Sequence, residues 1–226
     1  MLIFAVREEK LAVNPADNLR LPKSKPVSPL PYSDADAALL LKAARKETTP
    51  ALRWAHWIMA FTGMRAGEVL QLTAGDIRNV DGVWCFAIHE DEPGKSVKTG
   101  QRRNIPIHPA IEAEGFLKYT ASLAGNVPLF PEKRLDQHGN RGGRAWNLVG
   151  MWARRVGITD PLKAPDHSWR HRMEDEMRAA GIPEADRDAL VGHARRTTGR
   201  SYGVRGESLA RLKVELSKVS AAFLTL

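Results

Sequence analysis

Apolar residues recur at helical spacing along most of the chain. Residues 49–63 open on a Thr-Pro pair, typical of a helix start, and then carry an apolar stripe that ends at Gly63. Ser33 and Asp36 predict the capped start of an alanine- and leucine-rich helix that runs to Arg45. The same spacing predicts further helices over about 65–72, 109–124, 143–156, 168–180 and 183–191.

Three short segments carry the signals of β-strands instead. Residues 76–80 and 83–89 flank an Asp-Gly pair, which favours a two-residue hairpin turn, and residues 103–107 follow a polar loop. We therefore predict a mainly α fold with a small three-stranded antiparallel β-sheet. The loop over 90–101 is expected to be exposed.

The chain is predicted to have three parts. Residues 1–30 combine the end of a helix with a connector, because residues 13–32 hold five prolines and little periodicity. Residues 31–205 are the main domain. Residues 206–226 are an amphipathic tail helix, which we expect to dock on a neighbouring copy or to fold back on its own domain.

Charge changes this picture more than overall composition does. The 226 residues hold 34 Lys and Arg against 26 Asp and Glu, a net charge of +8. Residues 95–103, 133–172 and 193–205 carry +4, +6 and +4, so the rest of the chain is acidic on balance. Such windows are either separate solvated faces or parts of one surface that binds a polyanion.

Several classes of protein are excluded by what the sequence lacks. No apolar run approaches the roughly 20 residues that span a bilayer, and no signal peptide is present, so we expect a cytoplasmic protein. A single cysteine, Cys85, excludes an intramolecular disulfide and a multi-cysteine zinc site. The absence of an HExxH motif and of a phosphate-binding glycine loop favours chemistry without a metal or a nucleotide cofactor.

The densest chemical run is His-Ser-Trp-Arg-His at 167–171. On a helix, His167 and Arg170 share a face and could address one anion, although a basic surface turn explains the run equally well. Arg65 opens another predicted helix, where an arginine adds to the amide groups that bind phosphate. Glu68 could orient that guanidinium, although such a pair is more often found at the surface.

The last basic window contains His193 and Tyr202. A lone histidine or tyrosine is usually structural. Tyrosine becomes a nucleophile near neutral pH only when cations and a proton acceptor surround it.

Together these segments resemble the tyrosine recombinase family, the phage-integrase type of site-specific DNA recombinase. Five motifs carry the resemblance: NPADNLRLPK at 14–23, TGMRAGEVLQLTAGDI at 62–77, KTGQRRNIPI at 98–107, HSWRH at 167–171 and LVGHARRTTGRSYG at 190–203. Their order and spacing cover about residues 11–205. The resemblance implies the catalytic-domain fold of the DNA breaking-rejoining enzymes, with residues 1–30 as the remnant of a core-binding domain and its linker.

The resemblance also implies a set of catalytic residues: Arg65, Lys98, His167, Arg170, His193 and the nucleophile Tyr202. Lys98 matches the lysine of the β-hairpin, and His193 matches a position that holds histidine or tryptophan. The basic windows add candidate DNA contacts at Lys95, Arg102, Arg103, Arg195 and Arg196. Lys95 lies in the same loop as Lys98, so either lysine could take the catalytic role.

The implied reaction is DNA integration or excision by transesterification. Tyr202 would attack the scissile phosphate to form a 3′-phosphotyrosine, while His167 helps to accept the tyrosine proton and Lys98 protonates the departing 5′ oxygen. No metal or ATP is implied. The implied partner is double-stranded DNA at recombination sites in the bacterial nucleoid, bound by a homotetramer that exchanges its C-terminal tails.

Three alternatives stay open from the sequence. A type IB topoisomerase-like enzyme would share this chemistry but only relax DNA. An inactive relative, or a helix-turn-helix regulator, would bind DNA without cleaving it.

The chain also departs from the family pattern after HSWRH. Many relatives continue there with Thr, an aromatic residue and Ala, but this chain has Arg172, Met173 and Glu174, followed by Asp175 and Glu176.

Overall fold

Helices make up most of the part of the chain that the computed structural model describes, which is residues 2–16, 28–97, 100, 102–131, 145–193 and 208–225. They are α1 (Leu2–Arg7), α2 (Asp34–Ala44), α3 (Pro50–Thr62), α4 (Ala66–Leu70), α5 (Pro109–Ala113), α6 (Phe116–Ala121), α7 (Ala145–Val156), α8 (Pro165–Ala179), α9 (Glu184–Val191) and α10 (Leu209–Leu216). Short 3-10 turns cover Ala74–Asp76 and Ala222–Thr225. Within these described segments, no helix has the length and hydropathy of a membrane span.

The sheet consists of β1 (Ile77–Val80), β2 (Val83–Ile88) and β3 (Arg103–Pro106), in the order β1-β2-β3 with antiparallel pairing throughout. Asp81 and Gly82 both have positive φ, 49° and 83°, as the predicted hairpin turn requires. Phe86 on β2 lies opposite Ile105 on β3, and both are buried. The predicted mainly α fold with a small three-stranded antiparallel sheet is confirmed.

The start of α2 shows the predicted cap. The Ser33 hydroxyl accepts a hydrogen bond from the Asp36 amide, while the Asp36 carboxylate accepts one from the Ser33 amide. The next helix, α3, begins with Pro50 at its first position and ends at Gly63, whose φ of 65° is left-handed. That turn brings the chain directly into α4.

Helix α3 is the centre of the hydrophobic core, with α2, α7 and α8 packed around it. Two fully buried rings join α3 to α8, because Trp169 Nε1 donates a hydrogen bond of 3.0 Å to His56 Nδ1. Burial lowers the pKa of His56 to about 3, so its ring is neutral and can accept that bond. The contact fixes the neighbouring Arg170 beside the C-terminal end of α3.

The predicted helix over 109–124 is wrong as a single helix. The chain forms α5 and α6 instead, separated at Gly115, which has a φ of 85°. A left-handed residue cannot continue a right-handed helix, so the apolar spacing is kept across a bend. Helix α8 in turn begins at Pro165, earlier than the predicted start, with the proline at its first position.

The C-terminal tail packs on its own domain in this single chain. Leu212, Leu216 and Phe223 are buried in the core. The Val219 carbonyl lies 3.1 Å from His108 Nε2. Of the two expectations for the tail, this structure of one chain shows the folded-back arrangement.

Candidate active site

Arginines from three distant segments meet beside the C-terminal end of α3. Arg65 is the residue before α4, Arg103 opens β3, and Arg170 lies in α8. Two carboxylates, Glu68 and Glu174, lie among them. The turn at Gly63 and the Trp169–His56 contact are the local features that bring these elements together.

Glu68 connects two of the arginines. Its side chain is only 3% exposed, and Oε2 accepts hydrogen bonds from Arg103 Nη2 at 2.7 Å and from the Arg65 amide at 3.2 Å. Its other oxygen, Oε1, lies 3.3 Å from Arg65 Nη1. The pair of Arg65 and Glu68 is therefore part of a buried network, not a surface ion pair.

Arg170 is more enclosed than Arg65, with 8% of its side chain exposed. Nη1 donates a hydrogen bond of 3.0 Å to the Gly63 carbonyl, and Nε lies 3.3 Å from Glu174 Oε1. Burial lowers the pKa of Arg170 to about 10, and the nearby charge of Arg65 adds to the effect. Arg170 is still a cation at neutral pH. Because it is buried on a helix, a basic surface turn is the wrong interpretation of this part of the HSWRH motif.

Two guanidinium nitrogens in this cluster lack hydrogen-bond partners. Arg103 Nη1 and Arg170 Nη2 are buried, and neither has an acceptor among the residues that the structure describes. A buried donor without an acceptor is costly, and arginine forks pair well with the oxygens of phosphates. The three guanidinium groups also outnumber the two carboxylates. The arrangement can therefore bind an anion.

His193 borders this anion pocket at the end of α9. Its ring is partly exposed, with Nδ1 3.3 Å from Asp188 Oδ1 and Nε2 3.3 Å from Glu174 Oε1. The preceding Gly192 has a φ of 71° and touches Arg103, since a Cβ atom there would lie 2.7 Å from the guanidinium carbon. Only glycine allows both this backbone conformation and this close approach.

His167 lies in the first turn of α8, three residues before Arg170. Its side chain is exposed, and its ring stacks at 6.3 Å between centroids on that of His171. Residues three apart share a helix face, so His167 and Arg170 lie on the same side of α8.

Of the two lysines in the β2–β3 loop, the structure describes Lys95 but not Lys98. Lys95 has 4% of its side chain exposed, and Nζ donates to both oxygens of Asp76, at 2.7 and 2.8 Å, and lies 3.1 Å from Glu92. Lys95 is thus held inside the domain by acidic partners.

The Lys95 cluster also contains the ligand set of a candidate metal site. Atoms of Asp76, His89 and Glu92 lie within 4.8 Å of one another. The Lys95 ammonium contacts all three side chains, so it already supplies the positive charge there. Burial would raise the pKa of Asp76, but the hydrogen bonds from Lys95 and the Thr73 amide hold it below its usual value.

The remaining candidate DNA contacts have different surroundings. Arg102 has 71% of its side chain exposed and pairs with Asp91. Arg103, another candidate DNA contact, has 8% of its side chain exposed and belongs to the buried Glu68 network. Arg195, Arg196 and the candidate nucleophile Tyr202 lie outside the described residues.

Sequence reasoning missed two contributors to the pocket. Glu174 stood out only as a departure from the family pattern, although its spacing of four residues from Arg170 places both on one helix face. The Gly63 carbonyl has no sequence signal as an acceptor, because its role depends on how α8 packs against α3.

Three solved structures share this fold and are distant in sequence. A lambda integrase dimer bound to a COC′ core site is 21% identical, with a TM-score of 0.59 over 91% of this chain and 57% of that one. The integrase from mycobacterium phage Brujita is 16% identical, with a TM-score of 0.57 over 99% and 72%. XerA recombinase is 18% identical, with a TM-score of 0.52 over 97% and 69%. A comparison with curated protein sequences gives no match.

These likenesses define the fold as that of a tyrosine recombinase catalytic domain. The sequence profile of the phage integrase family matches residues 33–205, which is more than half of the chain. The chain belongs to the phage integrase family and is a tyrosine site-specific recombinase.

Proposed function

We propose that the chain recombines double-stranded DNA through a covalent 3′-phosphotyrosine on Tyr202, without a metal ion or ATP. The observation that carries this proposal is the cluster of Arg65, Arg103 and Arg170. Its positive charge exceeds the negative charge of its carboxylates, and it includes buried N–H groups that have no acceptor among the described residues. A phosphodiester supplies one negative charge and two non-bridging oxygens, which such a pocket can bind.

The proposed chemistry follows from the charge that develops on the phosphate. The Tyr202 oxygen forms a bond to phosphorus, and the bond from phosphorus to the 5′ oxygen breaks. Fixed guanidinium groups stabilise the charge on the non-bridging oxygens, as donors that need no rearrangement during the reaction. His167 helps to accept the tyrosine proton, and Lys98 gives a proton to the departing 5′ oxygen.

Rejoining is the reverse of cleavage with a new 5′ hydroxyl as the nucleophile. The phosphotyrosine bond keeps the energy of the phosphodiester, so no ATP is consumed. The guanidinium groups of Arg65 and Arg170 would supply the charge stabilisation that a divalent cation supplies in other phosphoryl-transfer enzymes.

DNA as the partner, and a tetramer as the assembly, are proposed by similarity. A solved neighbour with a TM-score of 0.57 is a lambda integrase tetramer bound to a Holliday junction. We propose that this chain also forms a homotetramer on DNA and exchanges its tails there. Exchange requires that the tail, including Phe223, leave the core surface that it covers in the single chain.

Sedimentation velocity tests the assembly. The chain alone is expected to sediment as a monomer, and the chain on site DNA as a tetramer. Removal of residues 206–226 should prevent the tetramer while a one-to-one DNA complex persists. Tetramers of the shortened chain would contradict tail exchange.

A nicked DNA substrate, which traps the covalent intermediate, tests the reaction. The parent chain is expected to accumulate a protein–DNA adduct, and Tyr202→Phe to form none while it binds DNA with unchanged affinity. Tyr119→Phe is the matched control. The Tyr119 hydroxyl donates a hydrogen bond to the Leu129 carbonyl, which is not part of the arginine cluster. Adducts that persist in Tyr202→Phe would overturn the assignment.

A further inference from the structure

Glu174 occupies a central position in the anion pocket that no catalytic role explains. It lies four residues after Arg170 on α8, so both side chains share one face of the helix. Its side chain is 15% exposed. The carboxylate therefore belongs to the pocket wall and is not part of a solvated acidic surface.

One oxygen of Glu174 faces two of the pocket's donors. Oε1 lies 3.3 Å from Arg170 Nε and 3.3 Å from His193 Nε2. The same carboxylate thus joins α8 to His193, the second residue after α9. Arg178 approaches the other oxygen at 3.6 Å, from the exposed side.

The contact also limits which part of Arg170 is available to a ligand. The Gly63 carbonyl accepts a hydrogen bond from Nη1, the Glu174 carboxylate lies at ion-pair distance from Nε, and Nη2 is left without an acceptor among the described residues. A planar guanidinium held at two of its edges presents the third in a fixed direction. The free N–H groups of Nη2 are then ready for a phosphate oxygen.

Charge balance supports the same role. Arg65 and Arg103 both lower the pKa of Arg170, whereas Glu174 and Glu68 raise it. With both carboxylates present, the three guanidinium groups carry one excess positive charge, which matches the charge of one phosphodiester. Without Glu174 the cluster would be more repulsive before DNA binds.

We infer that Glu174 is a positioning residue for recombination, whose carboxylate holds Arg170 and His193 side by side so that Arg170 Nη2 faces the scissile phosphate. This inference rests on the proposed function. It also gives a role to the departure from the family pattern at this position.

The sharpest variant is Glu174→Gln, which keeps the shape of the side chain and removes its charge. Asp175→Asn is the matched control, since it removes the same charge from the next residue, whose exposed side chain pairs with Arg178. Glu174→Asp keeps the charge. Each variant is compared with the parent chain in single-turnover cleavage of nicked site DNA and in DNA affinity.

Glu174→Gln is expected to cleave bound DNA about tenfold more slowly than Asp175→Asn, with affinities of the two variants within about threefold of each other. Glu174→Asp should cleave within about threefold of the parent chain, because it keeps the negative charge that faces Arg170 and His193.

Equal cleavage rates in Glu174→Gln and Asp175→Asn would overturn the inference, as would faster cleavage by Glu174→Gln, which would make Glu174 a competitor of the phosphate. The NMR signal of the Arg170 Nε–H group at neutral pH provides a readout that does not depend on cleavage, because Glu174 Oε1 lies 3.3 Å from Nε. If the parent chain forms no adduct, the proposed function fails. An unchanged Arg170 Nε–H signal in Glu174→Gln contradicts the positioning role by itself.

Discussion

This domain contains two charged clusters, the arginine pocket and the Lys95 cluster. Both are largely buried, but they differ in net charge. In the arginine pocket, three guanidinium groups face Glu68 and Glu174, and two of their nitrogens have no acceptor among the described residues. In the Lys95 cluster, a single ammonium contacts Asp76, Glu92 and His89. The arginine pocket has an excess of positive charge, and the Lys95 cluster has no such excess.

The difference separates a binding site from a structural ion cluster. Buried charges are usually paired, because an unpaired one costs several kcal/mol. Lys95 and Asp76 satisfy each other, so their contribution is to join the β2–β3 loop to the start of the sheet. The arginine pocket is complete only when another anion enters, which is what a site for DNA phosphate requires.

The largest effect is expected for Arg170→Ala. Removal of a fixed donor to a transition-state oxyanion typically costs about 10²–10³ in rate. Single-turnover cleavage should fall by about that factor with DNA affinity little changed. Arg45→Ala removes an exposed arginine that pairs with Glu114 and not with a pocket residue; it is the control and should stay within about twofold. Equal losses in both variants would remove the distinction between the pocket and the protein surface.

Lys95→Met should mainly affect stability. It leaves Asp76 buried without its cation, and breaking a buried pair in this way costs about 3–5 kcal/mol. Urea unfolding measures the loss, and Lys218→Met, which breaks an exposed pair with Glu215, should cost less than about 1 kcal/mol. A stable Lys95→Met chain that fails to cleave DNA would show that Lys95 acts in the reaction instead.

The catalytic role proposed for Lys98 predicts a different behaviour. Lys98→Ala should slow cleavage about hundredfold, because the 5′ oxygen leaves without a proton donor. A substrate with a 5′ sulfur as the leaving atom needs little protonation, so it should restore the rate of Lys98→Ala but not that of Lys95→Ala. Rescue of Lys95→Ala alone would exchange the assignments of the two lysines.

The smallest expected effect is the loss of folding stability at acidic pH that arises from the Lys95 cluster. The pKa of Asp76 is below its unfolded value near 3.8, so its stabilising contribution is complete above that pH and is lost as pH falls through the folded value. Urea unfolding below about pH 4 should therefore show a steeper loss for the parent chain than for Asp76→Asn. Asp81→Asn, in the exposed hairpin turn, should match the parent slope.

The sequence predicted the fold and many local features correctly. The Ser33 cap, the Asp81-Gly82 turn and the helix end at Gly63 are all short-range, so the residues themselves determine them. The break at Gly115 was missed, since an apolar stripe can continue across a left-handed residue. Local sequence patterns also assigned Arg65 and Arg170 to helices, but such patterns do not predict that the two side chains lie close together.

Long-range pairings of charge could not be predicted. Lys95 and Arg103 were singled out from a basic window, and such a window does not reveal acidic partners elsewhere in the chain. Their partners, Asp76 and Glu68, come 19 and 35 residues earlier in the sequence. The contact of Glu174 with His193 likewise depends on how α9 packs against α8.

The most direct test of the account is whether the arginine pocket serves the negative charge of the phosphate. A site DNA with a methylphosphonate at the scissile position lacks that charge. If Arg170 neutralises it, Arg170→Ala should lose about 10²–10³ in cleavage rate on the phosphate and far less on the methylphosphonate, each relative to the parent chain on the same DNA. An equal loss on both substrates would contradict the account.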